Sequence, residues 1–190
     1  MNPSLFYIVG ASGSGKDSLM CYARKRMSNN PGVVFAHRYI TRPADMCGEN
    51  HIALSSEEFE VRRTAGLFSM NWESHGCSYG IGIEVDEWLD RGMNVVVNGS
   101  REYLNEARRN YSGFLRPVHI MVSPDVIRAR LLDRGRERLA EVDARIARHL
   151  QFTGQLPADC IEIQNNGSLE SAGERLVGLI LEHSLRETCA

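Results

Sequence analysis

The chain has 190 residues, enough for one compact domain with a sizeable core and a small insertion. With 43% hydrophobic and 24% charged residues it has the composition of a globular protein, and a net charge of −2 gives no electrostatic reason to expect nucleic acid or a membrane surface as partner. Five scattered cysteines form neither a C-x-x-C pair nor a zinc spacing, and no apolar run suits a signal peptide or a membrane span, so a reduced, cytoplasmic protein is expected. Lys16 and Lys25 are the only lysines; every other base is arginine.

In chain order, Leu5 to Val9 has the composition of a buried strand and runs directly into Gly10-Ala11-Ser12-Gly13-Ser14-Gly15-Lys16. An amphipathic helix follows over 18–27. Strand, glycine loop and helix in that order are the context of a phosphate-binding loop, G-x-x-x-x-G-K. Glycines let successive N–H groups point into one concavity, the helix adds its positive end, and Lys16 reaches the outer phosphates. The pattern then asks for Ser or Thr as a magnesium ligand, whereas this chain has Asp17 followed by Ser18.

Further strands are expected at 33–40, 93–97, 117–122 and 160–164. Helices fit at 59–64 behind a Ser55–Glu58 capping box, at 85–91, at 101–110, and at 124–134 with Ser123 as N-cap. Two more span 138–152 and 168–185. This alternation predicts an α/β sandwich around a parallel sheet, whose ligands bind beyond the carboxyl ends of the strands. Region 41–83 is rich in Gly, Asn, His and Ser with weak periodicity, and reads as an insertion facing the phosphate loop.

From Tyr39-Ile40-Thr41-Arg42-Pro43 and Gly48-Glu49 onward, the chain resembles the guanylate kinase family over nearly its whole length. Gly66-Leu67-Phe68, Ser78-Tyr79-Gly80, Ser123-Pro124-Asp125 and Arg130 to Gly135 carry the likeness as well. The resemblance implies a P-loop kinase three-layer sandwich with a central five-stranded parallel sheet. Its core would be 1–40 and 84–190, its substrate-binding insertion about 41–83 and its lid about 134–141. It implies ATP bound by residues 10–18 and Arg134, Arg136 and Arg145 as lid-side arginines, while magnesium at Asp17 is expected because a carboxylate is a hard oxygen ligand. Arg42 and Tyr79 match the substrate-phosphate ligands.

Departures from that family are informative. Ala44-Asp45-Met46 offers no second phosphate arginine, Met70 stands where the family reads guanine with glutamate, and the aspartate-rich end of the third strand becomes Asn98-Gly99-Ser100. A site built to hydrogen-bond a base rejects ligands that leave it unpaired, so loss of the reader argues against guanine. Within the larger family, GKDSL, HRYITRPA, GENHIALS, SYGI, VVVNGSR and RGRE resemble the ribose 1,5-bisphosphate phosphokinases of bacterial phosphonate degradation, which carry Lys-Asp-Ser. This implies ATP and a sugar bisphosphate as small-molecule partners, and leaves a homodimer open.

A phosphate acceptor, with a second pKa of about 6, is largely dianionic at neutral pH and needs no general base. The task is to bring anions together, by positioning and charge neutralisation. Lys16, magnesium and the lid arginines are expected to serve the transferring group. Arg38, Arg42 and Tyr79 are expected to hold the acceptor, with Asn50, His51 and Arg101 near the sugar or second phosphate. His37 and Arg38 alternate along a strand, so one of them faces the site, and Arg38 is favoured. Asp17 also suits the first turn of a helix; a carboxylate beside a triphosphate nevertheless calls for an intervening cation. His75 in a turn, His119 in a strand and His183 on the last helix read as structural. The competing functions are guanylate kinase itself and a non-catalytic binding module on the same scaffold.

Overall fold

The computed structural model describes residues 3–43, 50–134, 142–144, 146–147 and 159–185. Two sheets dominate. The first has five parallel strands in the order β2 (Val33–Phe35), β7 (Asn94–Asn98), β1 (Leu5–Gly10), β8 (Leu115–Met121) and β9 (Ile161–Gln164). The second has four strands in the order β4 (His51–Ala53), β3 (Arg38–Ile40), β6 (Cys77–Gly82) and β5 (Phe68–Ser74). Among the described residues six helices have defined bounds: α1 (Lys16–Arg26), α2 (Ser56–Thr64), α3 (Glu84–Asp90), α4 (Leu104–Asn110), α5 (Pro124–Arg134) and α6 (Leu169–Leu185).

The apolar run at the start of the chain forms the central strand because it can be buried on both faces, as parallel sheets require. Phe6 and Ile8 point into one cluster with Leu19, Met20 and Ala23 of α1 and Leu176 and Ile180 of α6. Leu5, Tyr7 and Val9 point the other way, against Val85 and Leu89 of α3 and Leu104 and Ala107 of α4. Helix, sheet and helix make the three layers expected. Met70 and Ile81 of the second sheet join this second cluster, so the two sheets share apolar packing.

The expected strand over 33–40 is two strands in two sheets. Val33–Phe35 pairs with β7, Ala36 N–H still donates to Val96 O at 3.0 Å, and then Arg38 N–H donates to Asn50 O at 3.1 Å. Either sheet suits the same apolar composition; distant partners decide where the chain changes sheet. Region 41–83, for which weak periodicity gave only a helix, also holds β4, β5 and β6. The β5–β6 hairpin closes through His75 (φ 52°) and Gly76 (φ 73°), both left-handed, the two-residue turn whose twist matches paired strands. Its core is aromatic: Phe68 stacks on Phe59 of α2 at 4.7 Å and lies 5.6 Å from Tyr39. Gly80 is required there, since a Cβ on it would sit 2.6 Å from the Phe68 ring.

The cap of α2 is formed as its sequence indicates, with Glu58 N–H donating to Ser55 Oγ at 3.1 Å, although the helix starts three residues earlier, at Ser56. Val126 N–H donates to Ser123 Oγ at 3.4 Å at the start of α5. Residues 142–144 and 146–147 are helical. The rest of the expected helix over 138–152, the segment Ala44 to Glu49, and Arg136 and Arg145 lie outside the described residues, as does the side chain of Arg134. No helix among the described residues is long and apolar enough to cross a membrane.

Candidate active site

The loop between β1 and α1 turns through two left-handed glycines, Gly13 (φ 86°) and Gly15 (φ 80°). Ser14 N–H donates to Ala11 O at 3.1 Å, closing the loop on itself. Gly15 caps α1 with no side-chain partner for the first helical N–H groups, which are thereby left for an anion. A fixed frame supports the loop. Asn165, past the end of β9, donates from Nδ2 to Ser14 O at 2.6 Å. Arg130 of α5 donates to Asn165 O at 2.8 Å, and its other terminal nitrogen lies 3.5 Å from Ser14 O. A Cβ on Gly15 would stand 2.6 Å from Asn165 Nδ2, so the close approach itself demands glycine. Ser12 and Ser18 face solvent, whereas Ser14 is fully buried.

Lys16 and Asp17 open α1 and meet the end of the neighbouring strand. Lys16 Nζ donates to Asn98 Oδ1 at 2.6 Å, and Asn98 Nδ2 donates to Asp17 Oδ1 at 2.7 Å. Lys16 Nζ stands 3.6 Å and Arg38 NH2 3.9 Å from the same Asp17 oxygen. The adjacent Lys16 ammonium holds the Asp17 carboxyl below the usual carboxylate range, against the opposing effect of burial and with help from Arg38 and Asn98. Asn98, Lys16 and Arg38 all approach the same oxygen, Oδ1, of a side chain that is 46% exposed.

A carboxylate that is ionised and partly exposed fits a magnesium ion. Among the described residues no group of three or more His, Cys, Asp and Glu gathers here, so a cation at Asp17 would draw its remaining ligands from phosphate and water oxygens. Magnesium is commonly held that way, by one or two carboxylates plus substrate phosphates.

The second sheet brings up the other wall. Arg38 opens β3, and its guanidinium lies over the Tyr79 ring at 5.4 Å. Tyr79 in turn stacks parallel to Trp72 at 5.7 Å, and Trp72 contacts Tyr103 at 5.6 Å. This aromatic column fixes a cation that is itself aimed at Asp17. Thr41 N–H donates to Ser78 O at 3.1 Å and Ser78 N–H to Thr41 Oγ1 at 2.8 Å, which ties the approach to Arg42 against the strand bearing Tyr79. His51 is the register partner of Arg38 on β4. Asn50 donates weakly to Phe35 O and Ala36 O and, with Asp17, Asn98, Cys21 and Arg24, lines a cavity running along α1.

Arg101 follows on the loop after β7, where burial pushes its guanidinium below the usual value. That loop is pinned by Tyr7, whose hydroxyl donates to Ser100 O at 3.0 Å and accepts from Ser100 N–H at 2.9 Å. A Cβ at Gly99 would overlap the Tyr7 ring at 2.2 Å.

Thus Lys16, Asp17, Arg38 and Tyr79 come together, with Asn50 beside them and His51 in register with Arg38. Asn98, Asn165, Arg130 and Trp72 were not among the residues expected to form the site. Asn98 could have been found, since a polar residue closing an apolar strand lies at the ligand-binding end of a parallel sheet. Asn165 reads as an ordinary turn residue after a strand, and only the fold brings it under the loop. Met70 is fully buried in the apolar cluster between the sheets. It offers no polar atom to a base.

No family model matches the chain. Among solved structures, guanylate kinase from Anaplasma phagocytophilum superposes with a TM-score of 0.71 over 97% of this chain and 88% of its own, at 14% identity, a likeness of fold. Curated relatives are much nearer in sequence. The ribose 1,5-bisphosphate phosphokinase PhnN of Thiobacillus denitrificans is 55% identical over 177 residues, covering 93% of this chain and 92% of its own. Those of Psychromonas ingrahamii and Desulfomicrobium baculatum are 50% and 51% identical, covering 96% and 95% of this chain and 92% and 96% of theirs. The chain belongs to the ribose 1,5-bisphosphate phosphokinase PhnN family.

Proposed function

We propose that the protein transfers the γ-phosphoryl group of ATP to the 1-phosphate of ribose 1,5-bisphosphate, giving ADP and 5-phospho-α-D-ribosyl 1-diphosphate, as a step of phosphonate degradation. The reading is carried by one juxtaposition: a phosphate loop whose Lys16 and Asp17 face Arg38, which is stacked on Tyr79 across the cleft. Burial of Met70 in the place of a base reader favours a sugar phosphate over a nucleotide as acceptor.

In this reading the loop amides and Lys16 hold the β- and γ-phosphates. Asp17 would hold magnesium, which when bound neutralises phosphate charge. Arg38, Arg42 and Tyr79 grip the acceptor phosphate, while Asn50, His51 and Arg101 serve the sugar and its second phosphate. An acceptor phosphate oxygen attacks the γ-phosphorus, the bond to the β–γ bridging oxygen breaks, and that oxygen leaves on ADP. No proton need be removed from a dianionic acceptor, so the residues orient and neutralise. Arg134, Arg136 and Arg145 are proposed to supply further positive charge from the lid.

Coupled ADP release with ribose 1,5-bisphosphate and with GMP tests this. The expected result is turnover with the sugar bisphosphate and a new diphosphate signal by phosphorus NMR. Comparable kcat/KM for GMP would overturn the acceptor assignment. Failure to bind ATP would favour a non-catalytic module.

A further inference from the structure

The buried amide of Asn98 has no place in the roles above. Asn98 ends β7, the strand hydrogen-bonded to β1, in register with Ile8, and is 6% exposed. In P-loop nucleotide enzymes generally, the cation is held by the loop Ser or Thr together with an aspartate on a neighbouring strand. Here the loop position bears the carboxylate, Asp17, and the strand end bears a neutral amide.

We propose that Asn98 is a positioning residue in a site whose negative charge has moved from strand to loop. The pair Asp17–Asn98 exchanges the residue types of the usual Ser/Thr–Asp pair while leaving its charge the same. The inference rests on the reading of Asp17 as the cation-side ligand. An amide is required at the strand end because one end must accept from Lys16 and the other must donate to Asp17. Asn98 does both, at 2.6 and 2.7 Å. Aspartate at 98 could accept from Lys16 but could not donate, and would set a second anion beside Asp17. Together with Lys16 and Arg38, Asn98 engages Asp17 Oδ1, while the Asp17 side chain stays 46% exposed. The amide therefore fixes the orientation in which the Asp17 carboxylate meets the ion.

The test uses four full-length proteins: the parent, Asp17→Ser, Asn98→Asp and the double variant. Binding of the non-hydrolysable analogue adenylyl imidodiphosphate is titrated calorimetrically over a magnesium series, with no sugar bisphosphate present. Each single variant is expected to weaken the magnesium-dependent part of binding about 10- to 100-fold, the usual cost of disturbing a ligand or its outer partner. The double variant is expected to recover to within about threefold of the parent, a coupling that independent sites do not show. Losses that multiply in the double variant would overturn the proposal.

Melting curves accompany each titration. Should the double variant not fold, Asn98→Ala decides: an unchanged magnesium requirement overturns the role of Asn98, and a raised one supports it. Because no acceptor is present, failure of the sugar-phosphate assignment leaves this result intact. Analogue binding by the parent that ignores magnesium would overturn the inference itself.

Discussion

The donor wall and the acceptor wall of the cleft are built by opposite means. The donor wall is local: Gly10 to Asp17 are consecutive, and their shape follows from two left-handed glycines and the start of a helix. The acceptor wall is assembled from afar. Arg38, Tyr79, Trp72 and Tyr103 come from β3, β6, β5 and the start of α4, and each is placed by its neighbour in a stack. A local wall can be damaged at one residue with the rest left standing. A stacked wall passes a defect along the column, so its variants should mix binding loss with stability loss.

The largest effect should come from the donor side. Lys16→Ala removes the cation at the transferring phosphoryl and is expected to lower kcat at least about a hundredfold with little change in melting temperature. A comparable fall in melting temperature would break the contrast. Met70→Ala tests the seam between the two sheets. A fully buried methionine cut to alanine should cost about 2–5 kcal/mol by denaturant unfolding. GMP turnover should remain absent.

Arg38→Met removes a charged donor from the acceptor side. It should reduce kcat/KM for the sugar bisphosphate about 10- to 100-fold while ATP-analogue affinity changes little, a separation that calorimetry reads directly. A pH series sharpens the donor side. Asp17 has a lowered pKa in the folded protein, so its stabilisation is fully present above its unfolded value, about 3.9, and disappears as pH falls through the lower folded value. The stability gap between the parent and Asp17→Asn should hold at neutral pH and close only in that acid range. The smallest effect belongs to the hairpin. His75→Gly relieves a left-handed conformation in a side chain with no assigned role, and should change stability by no more than about 1 kcal/mol.

Legibility in the sequence follows the same division. The phosphate loop, the central strand and the cap at Ser55 could be read because each depends on neighbours within a few residues. Of the five parallel strands, β1 and β7 were visible as apolar runs because they are buried on both faces, and β9 as Ile161 and Ile163 alternating with exposed Glu162 and Gln164. The second sheet was not. Its short strands carry exposed, polar and glycine positions, and the change of sheet between Phe35 and Arg38 is decided by Val96 and Asn50, far away in the chain. Asn98 was visible as a departure from the guanylate kinase pattern. Its bonds to Lys16 and Asp17, however, exist only once β7 lies beside β1.

The scarcity of lysine gives the protein a built-in occupancy gauge. Of its two ε-amines, Lys25 is exposed on α1, whereas the Lys16 side chain is 13% exposed and bonded to Asn98. Reductive methylation with isotopically labelled formaldehyde should therefore mark Lys25 at once and Lys16 slowly. The Lys25 resonance serves as an internal reference, and the intensity at Lys16 falls as phosphates fill the loop. One spectrum then reports the fraction of loaded molecules, without engineered labels.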